Sequence, residues 1–214
     1  MALPQLTDEQ RKEALAKAAE ARKAARLLAD VKAALSGGIR ILQYRNKHAD
    51  IALKRQQLEA LKTVCERHQT LLIVNDDWRL AAELGIKAVH LGEDDGDIEE
   101  ARQALGPGSL IGVSCYASVE RAQALAPVAD YLAFGALFAS GTKPLARPAP
   151  LSVFREVQAL SLARPLVGIG GIDADNIGSV LAAGADAAAV IGALFRQGDV
   201  RAAAQRLVAA AARP

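Results

Sequence analysis

The feature that most limits what this chain can fold into is an alternation that begins at Ile39. Short aliphatic, β-branched runs, Ile39–Tyr44, Leu71–Val74, Ala88–Leu91, Leu110–Val113, Tyr131–Gly135, Leu166–Ile169 and Ala187–Ile191, take turns with stretches whose apolar residues recur at helical spacing. Among the latter are Ile51 to His68, Trp78 to Leu84, Val119 to Leu125 and Ile177 to Ala183. Short strands separated by helices pair in parallel through right-handed crossovers. Helices stop at Gly37-Gly38, Gly85 and Gly184, each just before the next strand, because glycine accepts the left-handed conformation that closes a helix.

The N-terminus is irregular. Leu3-Pro4-Gln5-Leu6-Thr7 is a poor but possible strand, since Pro4 removes a backbone donor. Thr7 or Asp8 can cap a helix from Glu9 to Leu35, and the Ala/Lys/Glu-rich stretch over 8–35 is long for a globular helix. With Leu3–Thr7 counted, eight units in 214 residues predict an α/β fold, a (β/α)8 TIM barrel with an atypical or degraded first strand. A doubly wound open sheet is the alternative. No linker or shift in composition follows Ile39, so residues 1–214 read as a single TIM-barrel domain.

Composition narrows the function. Twenty-six basic against 24 acidic residues leave a net charge of +2, which argues against nucleic acid as the main partner. No uncharged apolar run approaches the ~18 residues that cross a bilayer, and Met1-Ala-Leu-Pro-Gln5 lacks the basic start of a signal peptide. A cytoplasmic protein without a membrane partner is expected. Cys65 and Cys115 are far apart and read as free thiols.

A polar cluster follows nearly every strand. Gln43, Arg45, Asn46 and Lys47 surround the end of the Ile39 run, and Asn75, Asp76 and Asp77 follow the Leu71 run. Asp95 and Ser114 come after the next two, a long loop carries Ser140, Gly141, Thr142 and Lys143, and Gly170-Gly171 and Gly192 follow the last two. Each has a plain structural reading. Arg45 and Lys47 can form a solvated turn, Asp76 and Asp95 can cap the next helices, Gly170-Gly171 can be a tight turn, and His90 reads as a packed or hydrogen-bonded histidine. In a parallel barrel, however, all these loops converge on one rim. Two carboxylates after adjacent strands can hold one Mg²⁺ together with substrate phosphate oxygens. Arg45, Lys47 and Lys143 add positive charge for a pyrophosphate, and backbone N–H groups at Gly170-Gly171 and Ile191-Gly192 suit a phosphate monoester. Two phosphorylated substrates is the economical interpretation.

At these residues the chain resembles thiamine-phosphate synthase, particularly its proteobacterial forms. The resemblance rests on Gln43-Tyr-Arg-Asn-Lys47, Ile73-Val-Asn-Asp-Asp77, Val89-His-Leu-Gly-Glu-Asp-Asp95, Ile111-Gly-Val-Ser-Cys-Tyr116, Asp130-Tyr-Leu-Ala-Phe-Gly135 with Thr142-Lys-Pro144, and Gly168-Ile-Gly-Gly-Ile172 with Asn176. It implies a (β/α)8 barrel that joins hydroxymethylpyrimidine diphosphate to a thiazole phosphate, releasing pyrophosphate. By that resemblance Gln43, Tyr44, Arg45, Asn46, Lys47, Asn75, Ser114 and Lys143 contact the pyrimidine diphosphate, with Arg45, Lys47, Ser114 and Lys143 catalytic. Asp76 and Asp95 are its implied Mg²⁺ ligands, and Ser140, Gly141, Thr142, Gly171, Ile191 and Gly192 its implied thiazole-phosphate contacts. A homodimer is also implied. The chain departs from the family at the first strand, at the 8–35 stretch, which resembles a designed helix, and at Gly192, where relatives carry Ser. A related thiazole tautomerase, or an impaired barrel that only binds phosphates, are the alternative readings.

Overall fold

The computed structural model describes residues 8–139 and 149–212. Within them, α1 (Asp8–Ser36) leads to β1 (Ile41–Tyr44), α2 (Ile51–Arg67), β2 (Leu71–Asn75), α3 (Trp78–Glu83), β3 (Ala88–Leu91) and α4 (Ile98–Leu105). The chain continues through β4 (Leu110–Tyr116), α5 (Val119–Leu125), β5 (Tyr131–Phe134), α6 (Ser152–Ala159), β6 (Leu166–Ile169), α7 (Ile177–Ala182), β7 (Ala187–Ala189), α8 (Gly192–Phe195) and α9 (Val200–Ala211). The seven strands form one sheet in sequence order, every neighbour parallel. The architecture is the expected α/β barrel, with β1 and β7 as the outer strands of the described sheet. The proposed strand Leu3–Thr7 lies outside the described residues.

The sequence runs locate every described strand, and the differences lie at their ends. β1 starts at Ile41 rather than Ile39 because the Ile39 N–H still caps the preceding helix, donating to Ala34 O at 3.3 Å. β7 ends at Ala189 because Ile191 opens α8, its carbonyl accepting from Phe195 N at 2.8 Å. β4 runs on to Tyr116 through a register shift between Ser114 and Tyr116, the mark of a bulge that re-aims the strand's end.

Alternation along the strands sorts two faces. Leu42, Tyr44, Leu72, Val74, Val89, Leu91 and Ile111 pack outward against α2, α3 and α4 around Leu58, Leu61 and Leu80. Val113, Leu132, Phe134 and Leu166 do the same against α5, α6 and α7, where Phe134 and Phe154 meet edge to face with centroids 5.7 Å apart. Burying each such side chain contributes about 1.5–3 kcal/mol. The inward face carries Gln43, Ile73, Asn75, His90, Gly112, Ser114 and Tyr131, and that face builds the site.

The long helix is present, but only part of it is packed. From Ala18 to Arg26 α1 is mostly exposed, whereas Val31, Ala34 and Leu35 are buried. Ala34 sits with Ala203, Ala204 and Leu207 of α9. The approach is close: a Cβ on Gly37 would stand 2.5 Å from the Ala204 Cβ and 2.8 Å from the Arg201 carbonyl. Among the described residues no helix is long and apolar enough to cross a membrane.

Candidate active site

Whether Asp76 and Asp95 merely cap helices is answered by their neighbours. Asp77 caps α3, its carboxylate accepting from Leu80 N at 3.2 Å, and Asp97 caps α4, accepting from Glu99 N and Glu100 N at 2.8 and 2.9 Å. The helix N-termini are therefore already satisfied. Asp76 is held in the left-handed region (φ +68) with its N–H on the His90 carbonyl at 2.9 Å. Lys47 Nζ lies 3.2 Å from Asp76 Oδ2, and the Asn75 side-chain amide donates to Asp76 Oδ1. Asp95 Oδ2 accepts from Gly92 N at 2.6 Å.

The two carboxyl groups act on one another. Burial, and next the Asp76 carboxyl, push the Asp95 carboxyl above its ordinary value, while the Gly92 N–H and Lys47 pull it back. Like charges held together in this way invite a cation. The donors are hard oxygens, and among the described residues no three His, Cys, Asp or Glu side chains gather into an all-protein cage. A carboxylate pair of this kind fits Mg²⁺, which keeps several water or phosphate oxygens as ligands. A narrow cleft of about 30 Å³ beside Asp76 is lined by Arg45, Lys47, Lys54 and Asn75.

Deeper in the barrel, His90 is 8% exposed and bridges two side chains, with Nδ1 2.9 Å from the Tyr131 hydroxyl and Nε2 2.9 Å from Ser114 Oγ. Burial lowers its pKa to about 4 against a weaker opposing pull from Asp76, so the ring is neutral at pH 7. The structural reading of His90 thus holds, with Ser114 as one of its partners. Its ring stacks on that of Tyr131, centroids 5.5 Å apart. Burial raises the Tyr131 hydroxyl, and the Gln43 side chain opposes that shift by hydrogen bonding. Tyr131 went unnoticed in the sequence, although glycine inside the apolar run Leu110–Val113 is a signal of close approach: a Cβ on Gly112 would fall 1.8 Å from the Tyr131 ring.

Other site residues are spread around the rim. Gln43, Arg45 and Lys47 are exposed, whereas Tyr44 turns to the helix side, its hydroxyl donating to Gln57 Oε1 at 2.7 Å. Asn46 shares that acceptor, its amide nitrogen at 3.2 Å. Gly171 (φ +64) packs against Phe138 and Ala139, so a Cβ there would meet Phe138 at 2.7 Å, and Asn176 holds the Gly171 carbonyl at 3.0 Å. Ile191 is 58% exposed and precedes Gly192 at the start of α8. Ser140, Gly141, Thr142 and Lys143 lie outside the described residues.

The model of the family described as thiamine monophosphate synthase matches residues 15–194. A thiamine-phosphate synthase of Chromobacterium violaceum is 52% identical over 184 residues, covering 86% of this chain and 88% of the relative. One from Halorhodospira halophila is 50% identical over 180 residues, 84% of this chain and 86% of the relative. Among solved structures, the thiamine phosphate pyrophosphorylase of Pyrococcus furiosus superposes with a TM-score of 0.78 at 33% identity, over 86% of this chain and 88% of that one. With its Asp pair, lysine and polar barrel interior on one rim, this chain belongs to the thiamine monophosphate synthase family.

Proposed function

We propose that this chain joins hydroxymethylpyrimidine diphosphate to a thiazole phosphate, giving thiamine phosphate and pyrophosphate. The C–O bond between the pyrimidine methylene and the diphosphate breaks, and its electron pair leaves with pyrophosphate. The thiazole nitrogen then supplies the pair for the new C–N bond. An electron-rich aminopyrimidine carries the intervening positive charge, so no protein nucleophile is required.

Asp76 and Asp95 hold Mg²⁺ in this reading, and the bound ion offsets negative charge on the diphosphate. Lys47 and Arg45, with Lys143, bind the departing group and favour the charge it gains. Gln43, Asn75 and Ser114 orient the pyrimidine, with Tyr44 and Asn46 bracing the loop through Gln57. Ser140, Gly141, Thr142, Gly171 and the Ile191-Gly192 turn receive the thiazole phosphate. Catalysis then rests on positioning and charge. A cytoplasmic homodimer is the expected working form.

The observation that carries this reading is the release of Asp76 and Asp95 from capping, next to Lys47 and at the mouth of the polar interior. The coupled assay with both substrates tests it. Thiamine phosphate should form with Mg²⁺ and cease with a chelator; synthesis unaffected by chelation would refute the metal assignment.

A further inference from the structure

One polar chain crosses the barrel interior, and two of its members, His90 and Tyr131, have no role in the reaction as described. His90 on β3 pairs in register with Gly112 on β4, and Gly112 with Tyr131 on β5. The missing side chain at Gly112 is what lets the Tyr131 ring lie over β4 and reach His90 Nδ1 at 2.9 Å. Ser114, two residues along the same face as Gly112, meets Nε2 at 2.9 Å. The far end of the chain approaches Gln43.

We infer that His90 is a positioning residue that fixes the Ser114 hydroxyl for the pyrimidine diphosphate, braced from behind by Tyr131. This role rests on the reaction proposed above. The physical argument is directional. A neutral imidazole carries one N–H, so it donates at one nitrogen and accepts at the other. The Ser114 hydroxyl, bound to Nε2, cannot rotate freely, and only its remaining hydrogen-bonding capacity faces the substrate. Tyr131 holds the other nitrogen and with it the ring's orientation. A ring anchored at only one nitrogen would leave that hydroxyl free to turn. Ser114, His90 and Tyr131 are then set by one continuous chain of hydrogen bonds rather than separately.

Two amide side chains separate this role from mere filling of the interior. An asparagine amide reaches the place of Nδ1, and a glutamine amide reaches the place of Nε2. His90→Asn should therefore keep the Tyr131 contact and lose the Ser114 contact, and His90→Gln should do the reverse. We expect His90→Asn to lower kcat/KM for the pyrimidine diphosphate by roughly 10- to 100-fold, with KM for the thiazole phosphate unchanged within about twofold. His90→Gln should recover most of the loss. Adding Ser114→Ala to His90→Asn should do little more than Ser114→Ala alone. With His90 intact, ¹⁵N-histidine spectra should show the Nε2 resonance shifting in Ser114→Ala and the Nδ1 resonance shifting in Tyr131→Phe. Equal loss in both His90 variants, tracking a fall in Tm, would overturn the positioning role, as would fully multiplicative effects of His90→Asn and Ser114→Ala. An unmutated protein that forms no thiamine phosphate would overturn the reaction and this role together, whereas an active one with indistinguishable His90 variants would overturn the role alone.

Discussion

The two ends of the barrel each hold a cluster of basic and acidic side chains, built to opposite specifications. At the N-terminal ends of β4 and β5, Arg102 donates to Ser109 O, Ser109 Oγ, Val128 O and Asp130 Oδ2 at 3.1, 3.3, 2.9 and 2.8 Å. Asp130 Oδ2 also accepts from Ile111 N at 2.7 Å. Every charge there meets a partner. At the C-terminal ends, Asp76 and Asp95 crowd one another with Lys47 beside them and have acceptor capacity to spare. Size is a poor guide to which end does chemistry, since the cleft beside Arg102, Asp130 and Arg164 is about 310 Å³ and the one beside Lys47 and Asp76 about 30 Å³. Charge pairing is the better guide: Arg102 and Asp130 match one another and tie elements together, whereas at the other end two carboxyl groups crowd together beside Lys47.

The contrast can be broken most sharply at Asp76. Asp76→Ala should lower turnover on the order of 10³-fold while the Tm stays within a few degrees, and an active variant in the coupled assay would remove the distinction. Asp130→Ala should do the reverse. It removes one of the four acceptors of Arg102 and the side-chain acceptor of the Ile111 N–H, at a cost of about 1–2 kcal/mol for a pair this exposed, read as a lowered midpoint in urea with kcat/KM held within about twofold. Asp95→Asn sharpens the comparison further. Removing one of two crowded carboxylates should stabilise the metal-free protein by about 0.5–1 kcal/mol in thermal melts, yet remove the Tm rise expected of the unmutated chain with Mg²⁺. The smallest expected effect lies between the two ends. Burial pushes both Cys65 and Cys115 up to about 11, so each thiol stays protonated. Labelling of the folded protein with a thiol reagent should stay negligible from pH 7 to 9 and begin only on unfolding; rapid labelling would show an interior open to solvent.

Much of this was legible in the sequence because short-range patterns carry it. The Ile39 alternation located the strands, and the residues after them located the rim. Three things were not legible. The pair Asp76-Asp77 is chemically uniform, and only backbone torsion decides which one caps: Asp77 sits at φ −91, where its carboxylate reaches Leu80 N, and Asp76 at φ +68 is turned away. Reading Gln43 to Lys47 as one block likewise overlooked the two-residue period that sends Tyr44 to the helix side. The His90 network was hidden for another reason. His90 and Tyr131 are 41 positions apart, and they meet across an intervening strand only where that strand lacks a side chain.

The contact between α1 and α9 bears on how the chain is made. α1 is the first described helix to leave the ribosome and α9 the last, and the small-residue seam of Gly37 and Ala34 against Ala204 joins them. Throughout synthesis the Ala34 face of α1 waits for a partner that does not yet exist, while the intermediate β/α units can already stack on one another. Docking of α1 on α9 is therefore a late, long-range event with a loop-entropy cost to overcome.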